Sequence, residues 1–172
     1  MFSYETLEKA ILWILPAYVA NGAPVVIVFL VRKMGKKTHP IDLRRIFIDG
    51  KRILGDNKSI EGFLGGVIIG STLGALLQLL GLHNAFSALI LSIGALTGDL
   101  TGAFIKRRLN LKPGDPAPLL DQLDFVFGAF AFQQLYNPVP LDYLVIVVVL
   151  TPLIHLSANL AAYTFGLKSK PW

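Results

Sequence analysis

Five apolar stretches, each close to the length of a bilayer-crossing helix, divide this chain, and fifteen of its sixteen Lys and Arg residues fall on one side of them. Hydrocarbon offers no hydrogen-bond partners, so each stretch must satisfy its own backbone and fold as a helix. The stretches lie at about residues 7–31, 62–80, 86–105, 119–136 and 143–165, each near the ~20 residues a span requires. The expected fold is therefore an all-α integral membrane protein, with one membrane-embedded domain over 1–172. Only 16% of the chain is charged, against roughly a quarter in a soluble domain. The first stretch follows Glu5, Glu8 and Lys9 and is too long for a signal-peptide core, so it is expected to be retained. No cysteine is present, which excludes disulfides, thiolate nucleophiles and cysteine metal sites.

The basic residues set the orientation. Nine lie between Arg32 and Lys58, four between Lys106 and Lys112, and two at Lys168 and Lys170, with Lys9 alone on the other side. The positive-inside rule makes the populated side cytosolic. The N-terminus is then outside and the C-terminus inside, in the cell membrane. The outer connections are short, so chemistry is expected in the cytosolic loops 32–61 and 106–118.

Small residues run in rows. Gly62, Gly66, Gly70 and Gly74 share one spacing, as do Gly94, Gly98 and Gly102. Such rows let helices approach closely in lipid. Gly98 directly precedes an aspartate and is also expected to open backbone to a ligand. Pro16, Asn21, Gly22 and Pro24 are expected to kink or locally break the first span. The apolar residues of 41–48, beside Arg44 and Arg45, fit a loop lying on the membrane surface or one anchored by a few buried side chains. His155 and Asn159, one turn apart, read best as helix–helix hydrogen bonding. His83 shows no partner in the sequence.

Three acids stand where hydrocarbon should least tolerate them. Asp99 precedes Lys106 by seven residues, or roughly 10 Å of helix. Asp121 and Asp124 open the next span and project from one face. The short 106–118 loop makes the two spans neighbours, so the three carboxylates converge near the inner surface. Carboxylates at that depth are functional by default. Left alone they repel, and a hard cation such as Mg2+ relieves the repulsion. Lys106, Arg107, Arg108, Lys112 and Lys58 supply charge for phosphate, with Asn57, Gly55 and Gly114 close by. Metal-binding acids beside phosphate-binding cations describe a site for a nucleoside triphosphate or pyrophosphate. No GxxxxGK[ST], GxSxG or HExxH occurs, so a P-loop, a serine elbow and a zincin helix are unsupported.

Several segments carry a family resemblance: GDLTGAFIKRR at 98–108, Lys112, LLDQLDF at 119–125, DGKRILGDNKSIEG at 49–62, and PAYVANGAP in the first span. The chain resembles the CDP-diacylglycerol synthase family of membrane cytidylyltransferases, most closely its small archaeal branch, the CDP-archaeol synthases. It departs from the bacterial pattern where Pro113 follows Lys112, where Ala117-Pro118-Leu119 stands in place of His-Gly-Gly, and where Ala103 replaces a serine beside Thr101. The resemblance implies transfer of CMP from CTP to an isoprenoid ether-lipid phosphate, an unsaturated archaetidic acid, with release of pyrophosphate and Mg2+ as the metal. Asp99, Asp121 and Asp124 are the expected metal ligands, with Lys106 as a further catalytic group. Asn57, Lys58, Gly98, Thr101, Arg107 and Lys112 are the expected nucleotide contacts. The expected partners are CTP, the lipid phosphate and the bilayer, with no nucleic acid. The alternative is a small transporter with intramembrane carboxylates, although no internal repeat supports it.

Overall fold

The computed structural model describes residues 2–167, so Lys168 and Lys170 lie outside the described residues. Five helices follow in order: α1 Tyr4–Lys33, α2 Ile60–Leu79, α3 Ala85–Arg108, α4 Leu120–Tyr136 and α5 Leu141–Thr164. Among the described residues there is no strand, only two isolated antiparallel bridges, Pro40 with Ser59 and Ile46 with Arg52.

Four of the helices (α1, α2, α3 and α5) are long and apolar enough to cross a membrane. The expected fourth span is α4, and it is shorter, at 17 residues. At 1.5 Å per residue it reaches about 26 Å, and its first turns hold Asp121, Gln122 and Asp124 in place of apolar side chains. The expected break in the first span is not found: α1 is one continuous helix through Pro16 and Pro24. The perturbed turns instead find partners on neighbouring elements. Nε2 of His83, in the α2–α3 turn, sits 3.1 Å from the carbonyl of Trp13, three residues before Pro16. The Ala20 carbonyl, four residues before Pro24, lies against Gly66 of α2.

The glycine rows explain the close packing. A Cβ at Gly70 would meet the Ser92 hydroxyl and the Pro16 carbonyl, and one at Gly74 would overlap Ala88. On α3, Gly94 faces the Gly128 carbonyl of α4, Gly98 faces the Asp124 carbonyl, and Gly102 faces the Asp124 carboxylate. The expected open backbone at Gly98 is therefore covered by α4. Farther from the basic end, Ser87 Oγ donates to buried Gln133 at 2.7 Å, tying α3 to α4 again. Trp13, Ile14, Leu91, Phe125 and Val147 fill the centre of the bundle. Ile68, Leu79, Leu135 and Val149 point outward, as lipid-facing residues do.

Candidate active site

The α1–α2 loop, built around one buried acid, forms one wall of the site. The Asp42 side chain is fully buried and accepts from Arg52 Nε at 3.1 Å and Arg52 Nη2 at 2.9 Å. It also accepts from the backbone N–H groups of Arg44, Leu54 and Gly55. Burial alone would raise its pKa; Arg52 and the three backbone donors reverse that and hold the carboxyl well below the usual carboxylate range. This hub folds the loop back, with the Ile41 N–H donating to the Lys58 carbonyl at 2.9 Å. Asn57 and Lys58 are thereby delivered to the ends of α3 and α4.

The second anchor is Arg108. Its guanidinium lies over the rings of Phe47 and Phe104, at 5.0 and 4.5 Å from their centroids. It also pairs with Asp49 at 2.7 Å and donates to the Arg52 carbonyl. Arg108 thus fastens loop to helix and does not serve as a free phosphate ligand. Phe47 tethers the 41–48 segment to α3 by its edge contact with Phe104, while it, Leu43, Ile46 and Ile48 all stay exposed, as either a surface-lying or an anchored loop would have them.

A cavity of about 1230 Å³ opens between this loop, the α3–α4 loop and the facing sides of α1 and α5. Asn57, Lys58, Asp99, Lys106, Arg107 and Asp121 line its polar end. Val25, Phe29, Ile154 and Phe165 line its apolar continuation. His155 and Asn159 lie on this wall, and the Asn159 amide nitrogen is 3.0 Å from His155 Nδ1.

The lysines hold two of the three carboxylates. Lys58 Nζ donates to both oxygens of Asp99, at 2.7 and 2.6 Å. Lys106 Nζ meets Asp121 Oδ1 at 2.7 Å. Burial would lower the Lys58 pKa, but the Asp99 carboxylate outweighs it and raises it, so the ammonium stays charged. The other Asp121 oxygen accepts from the Ala117 N–H at 2.9 Å, closing the first turn of α4. Asp124 has no cation at ion-pair distance among the described residues; its carboxylate lies over Gly102, within electrostatic reach of Asp99, Lys58 and Asp121. Among the described residues no three acids are already gathered as a metal cluster. The donor chemistry nonetheless suits a hard cation: the Asp99 and Asp121 carboxylates line one cavity, although Asp124, in the α3–α4 seam, is not on its wall. Arg107 is 6% exposed, lines the cavity, and leaves Nε and Nη1 without a hydrogen-bond partner. Arg108 also leaves Nε and Nη1 without a hydrogen-bond partner, but Arg107 differs in lining the cavity and in having no acid at ion-pair distance among the described residues. A buried, unsatisfied guanidinium fits an anion.

Three expected contacts stand apart. Gly98 is buried against α4, Thr101 is exposed and donates to the Thr97 carbonyl, and the exposed Lys112 side chain lies off the cavity wall. The Lys112 N–H donates to Asp115 Oδ2 at 2.7 Å, which gives Asp115 a turn-forming role. The Asp42 hub and the Arg108 anchor escaped sequence reasoning. Their signal was present: Asp42, Asp49 and Asp56 punctuate a basic loop, and each pairs with an arginine.

Residues 3–172 match the family model described as CarS-like, CDP-archaeol synthase. The chain belongs to the CDP-archaeol synthase family. A CDP-archaeol synthase of Thermofilum pendens is 53% identical over 167 residues, covering 96% of this chain and 81% of that protein. One from Methanocaldococcus jannaschii is 39% identical, covering 98% of this chain and 99% of its own length. A solved structure described as an intramembrane enzyme for archaeal membrane lipid biosynthesis superposes with a TM-score of 0.77 at 40% identity. It covers 88% of this chain and 92% of that one. This CDP-archaeol synthase family member is thus an enzyme, a nucleotidyltransferase in a multi-pass membrane protein. The transporter alternative finds no support.

Proposed function

We propose that this chain transfers CMP from CTP to an isoprenoid ether-lipid phosphate, using Mg2+, at the cytosolic ends of five membrane-crossing helices. The cavity carries this reading: its wall joins a charged set that holds the unsatisfied Arg107 with an apolar set from α1 and α5 that includes Val25, Phe29 and Ile154. A triphosphate suits the first set and a lipid chain the second. Residues 32–58 and 106–112, at the charged face, hold thirteen of the sixteen Lys and Arg residues, which supports a cytosolic placement.

The reaction displaces pyrophosphate from the α-phosphorus by a lipid phosphate oxygen. That nucleophile is already anionic, so no strong general base is required. The obstacle is repulsion between two anions, and positioning with electrostatic stabilisation overcomes it. Arg107 presents two free N–H donors to the triphosphate. Lys58 and Lys106 place ammonium groups where phosphate charge must be neutralised. Asn57 closes the nucleotide side, held there by the Asp42 hub. Asp99, Asp121 and Asp124 would hold Mg2+, which when bound supplies charge neutralisation to the phosphates.

The test uses purified protein, Mg2+, each of four labelled nucleoside triphosphates, and two lipid phosphates of different chain chemistry. Transfer from CTP to an isoprenoid ether-lipid phosphate is expected. The Asp124→Asn variant is expected to fold and lose transfer. Near-normal turnover in that variant would remove Asp124 from the site, and transfer of another nucleotide would remove the cytidylyl assignment.

A further inference from the structure

Metal-site carboxylates and phosphate-site lysines are bonded to each other in this structure. Lys58 occupies both oxygens of Asp99, and Lys106 occupies one oxygen of Asp121. A Mg2+ ion binds carboxylate oxygen at about 2.0–2.1 Å. Sharing those oxygens with an ammonium group at hydrogen-bond distance would hold two cations only about 4 Å apart in a partly buried site, where their repulsion disfavours it. A metal arriving alone must break these pairs and strand two lysines in a partly buried site, which is costly. A triphosphate arriving alone sets its charge beside three carboxylates. Arriving together, each removes the other's difficulty. Both ammonium groups sit on flexible four-carbon stems and line the cavity that would receive the phosphates.

We propose that Lys58 and Lys106 are exchange residues: they hold Asp99 and Asp121 until phosphate competes for them, then turn to phosphate and release the carboxylates to the metal. Metal and CTP consequently bind as a coupled pair. This rests on the assignment of Asp99 and Asp121 to metal. By linkage the coupling is reciprocal, so metal must tighten CTP by the factor by which CTP tightens metal.

Mn2+ serves as the probe, with protein in lipid nanodiscs and no acceptor lipid phosphate, so that no transfer occurs. Filtration of the nanodiscs separates protein-bound Mn2+ from its free CTP complex. In the wild type, CTP should strengthen Mn2+ binding roughly tenfold or more. The Lys58→Met variant should bind Mn2+ alone more tightly than wild type and show a smaller CTP effect. Unchanged or weaker Mn2+ binding by that variant overturns the exchange. Lys106→Met reads the same exchange at Asp121 should Lys58→Met fail to elute as a folded, monodisperse protein. Asp99→Asn separates the two levels. If it binds Mn2+ with CTP as wild type does, the metal assignment of Asp99 fails. If it loses that binding while neither lysine variant tightens Mn2+ alone, the exchange fails by itself.

Discussion

Replacing Gly102 with alanine should move a carboxylate while shifting two helices only slightly. A Cβ at that position stands 2.8 Å from Asp124 Cγ and 3.0 Å from Asp124 Cβ, and it overlaps Oδ2. Carbon atoms pack at about 3.5–4.0 Å, so the carboxyl group must retreat by roughly 1 Å. A rotation of the Asp124 side chain moves the carboxyl group, at about 0.5–1.5 kcal/mol for an off-rotamer angle, and the remaining contact with Asp124 Cβ at 3.0 Å asks for only a small shift of α4. Removing a helical glycine returns about 1 kcal/mol, so net stability hardly changes. Activity should change greatly, because a misplacement of about 1 Å can cost on the order of 100-fold in rate.

Gly98 is the matched control, one turn away. A Cβ there meets backbone: the Asp124 carbonyl carbon at 2.9 Å and Gly128 Cα at 3.1 Å. No side-chain rotation relieves that contact, so α3 and α4 must separate, at about 1–3 kcal/mol for an overpacked interface. Labelled-CTP transfer and the thermal midpoint in detergent measure the two effects together. Gly102→Ala should keep its midpoint and lose about 100-fold in kcat/KM, while Gly98→Ala should lose midpoint. Near-normal turnover in Gly102→Ala, at full occupancy of both substrates, would show that the position of the Asp124 carboxylate does not matter to the chemistry.

Arg107→Lys should raise KM for CTP by about tenfold or more, since a charged hydrogen bond contributes about 1.5–3 kcal/mol and one ammonium cannot replace two guanidinium donors; steady-state kinetics at saturating lipid phosphate check this. Asp42 has a folded pKa below its unfolded value, so its stabilisation is complete above the ordinary carboxylate range and is lost as pH falls toward the folded value. Hydrogen exchange at the Leu54 and Gly55 amides should therefore stay slow through about pH 4 and become faster only below it, whereas Asp42→Asn should speed exchange already at neutral pH. Arg108→Lys keeps the charge but loses the stack on Phe47 and Phe104, and should loosen the α1–α2 loop, read as faster proteolysis there with the bundle midpoint retained. Because the chain has no native cysteine, single cysteines at Asn84 and Lys36 should label from opposite sides of a sealed vesicle if the charged face is cytosolic.

Much of the architecture was legible because lipid restricts the choices. Apolar length and the glycine rows are one-dimensional signals, and they located all five helices to within a few residues. The α4 boundary was legible too, and so was its shortness, because the polar residues of LLDQLDF stand where a span would begin in apolar ones. A cavity-lining residue was legible where a charge falls inside an apolar stretch, as with Asp99, whereas Arg107 stood out only as one of a basic cluster. They were not legible when neighbours in sequence faced different ways. Thr101 and Lys112 adjoin the motif, yet helix phase and a turn at 112–115 point them elsewhere. Asp42 was hidden because its partners, Arg52, Leu54 and Gly55, become neighbours only when the loop folds back.

The lysine pairs also bear on how such a site can exist in a membrane protein. Asp99 of α3 and Asp121 of α4 line one cavity, and Asp124 lies over Gly102 between the same two helices, held in close contact by glycines. Carboxylates on two such closely packed helices repel one another. Solvent cannot disperse the repulsion in a partly buried cavity. Cations supplied by the protein can, provided they are able to leave. An arginine in a bidentate clamp would hold too firmly and too specifically, as Arg52 holds Asp42. A lysine is a mobile point charge. The chain places its arginine clamp in the loop that must stay folded, and lysines on the two cavity carboxylates that must be released. Substituting Lys58 by arginine should therefore leave the fold intact and the Asp99 charge neutralised, yet slow transfer by strengthening the pair that has to break. Faster transfer, or unchanged KM for CTP together with unchanged kcat, would show that release of Asp99 is not needed.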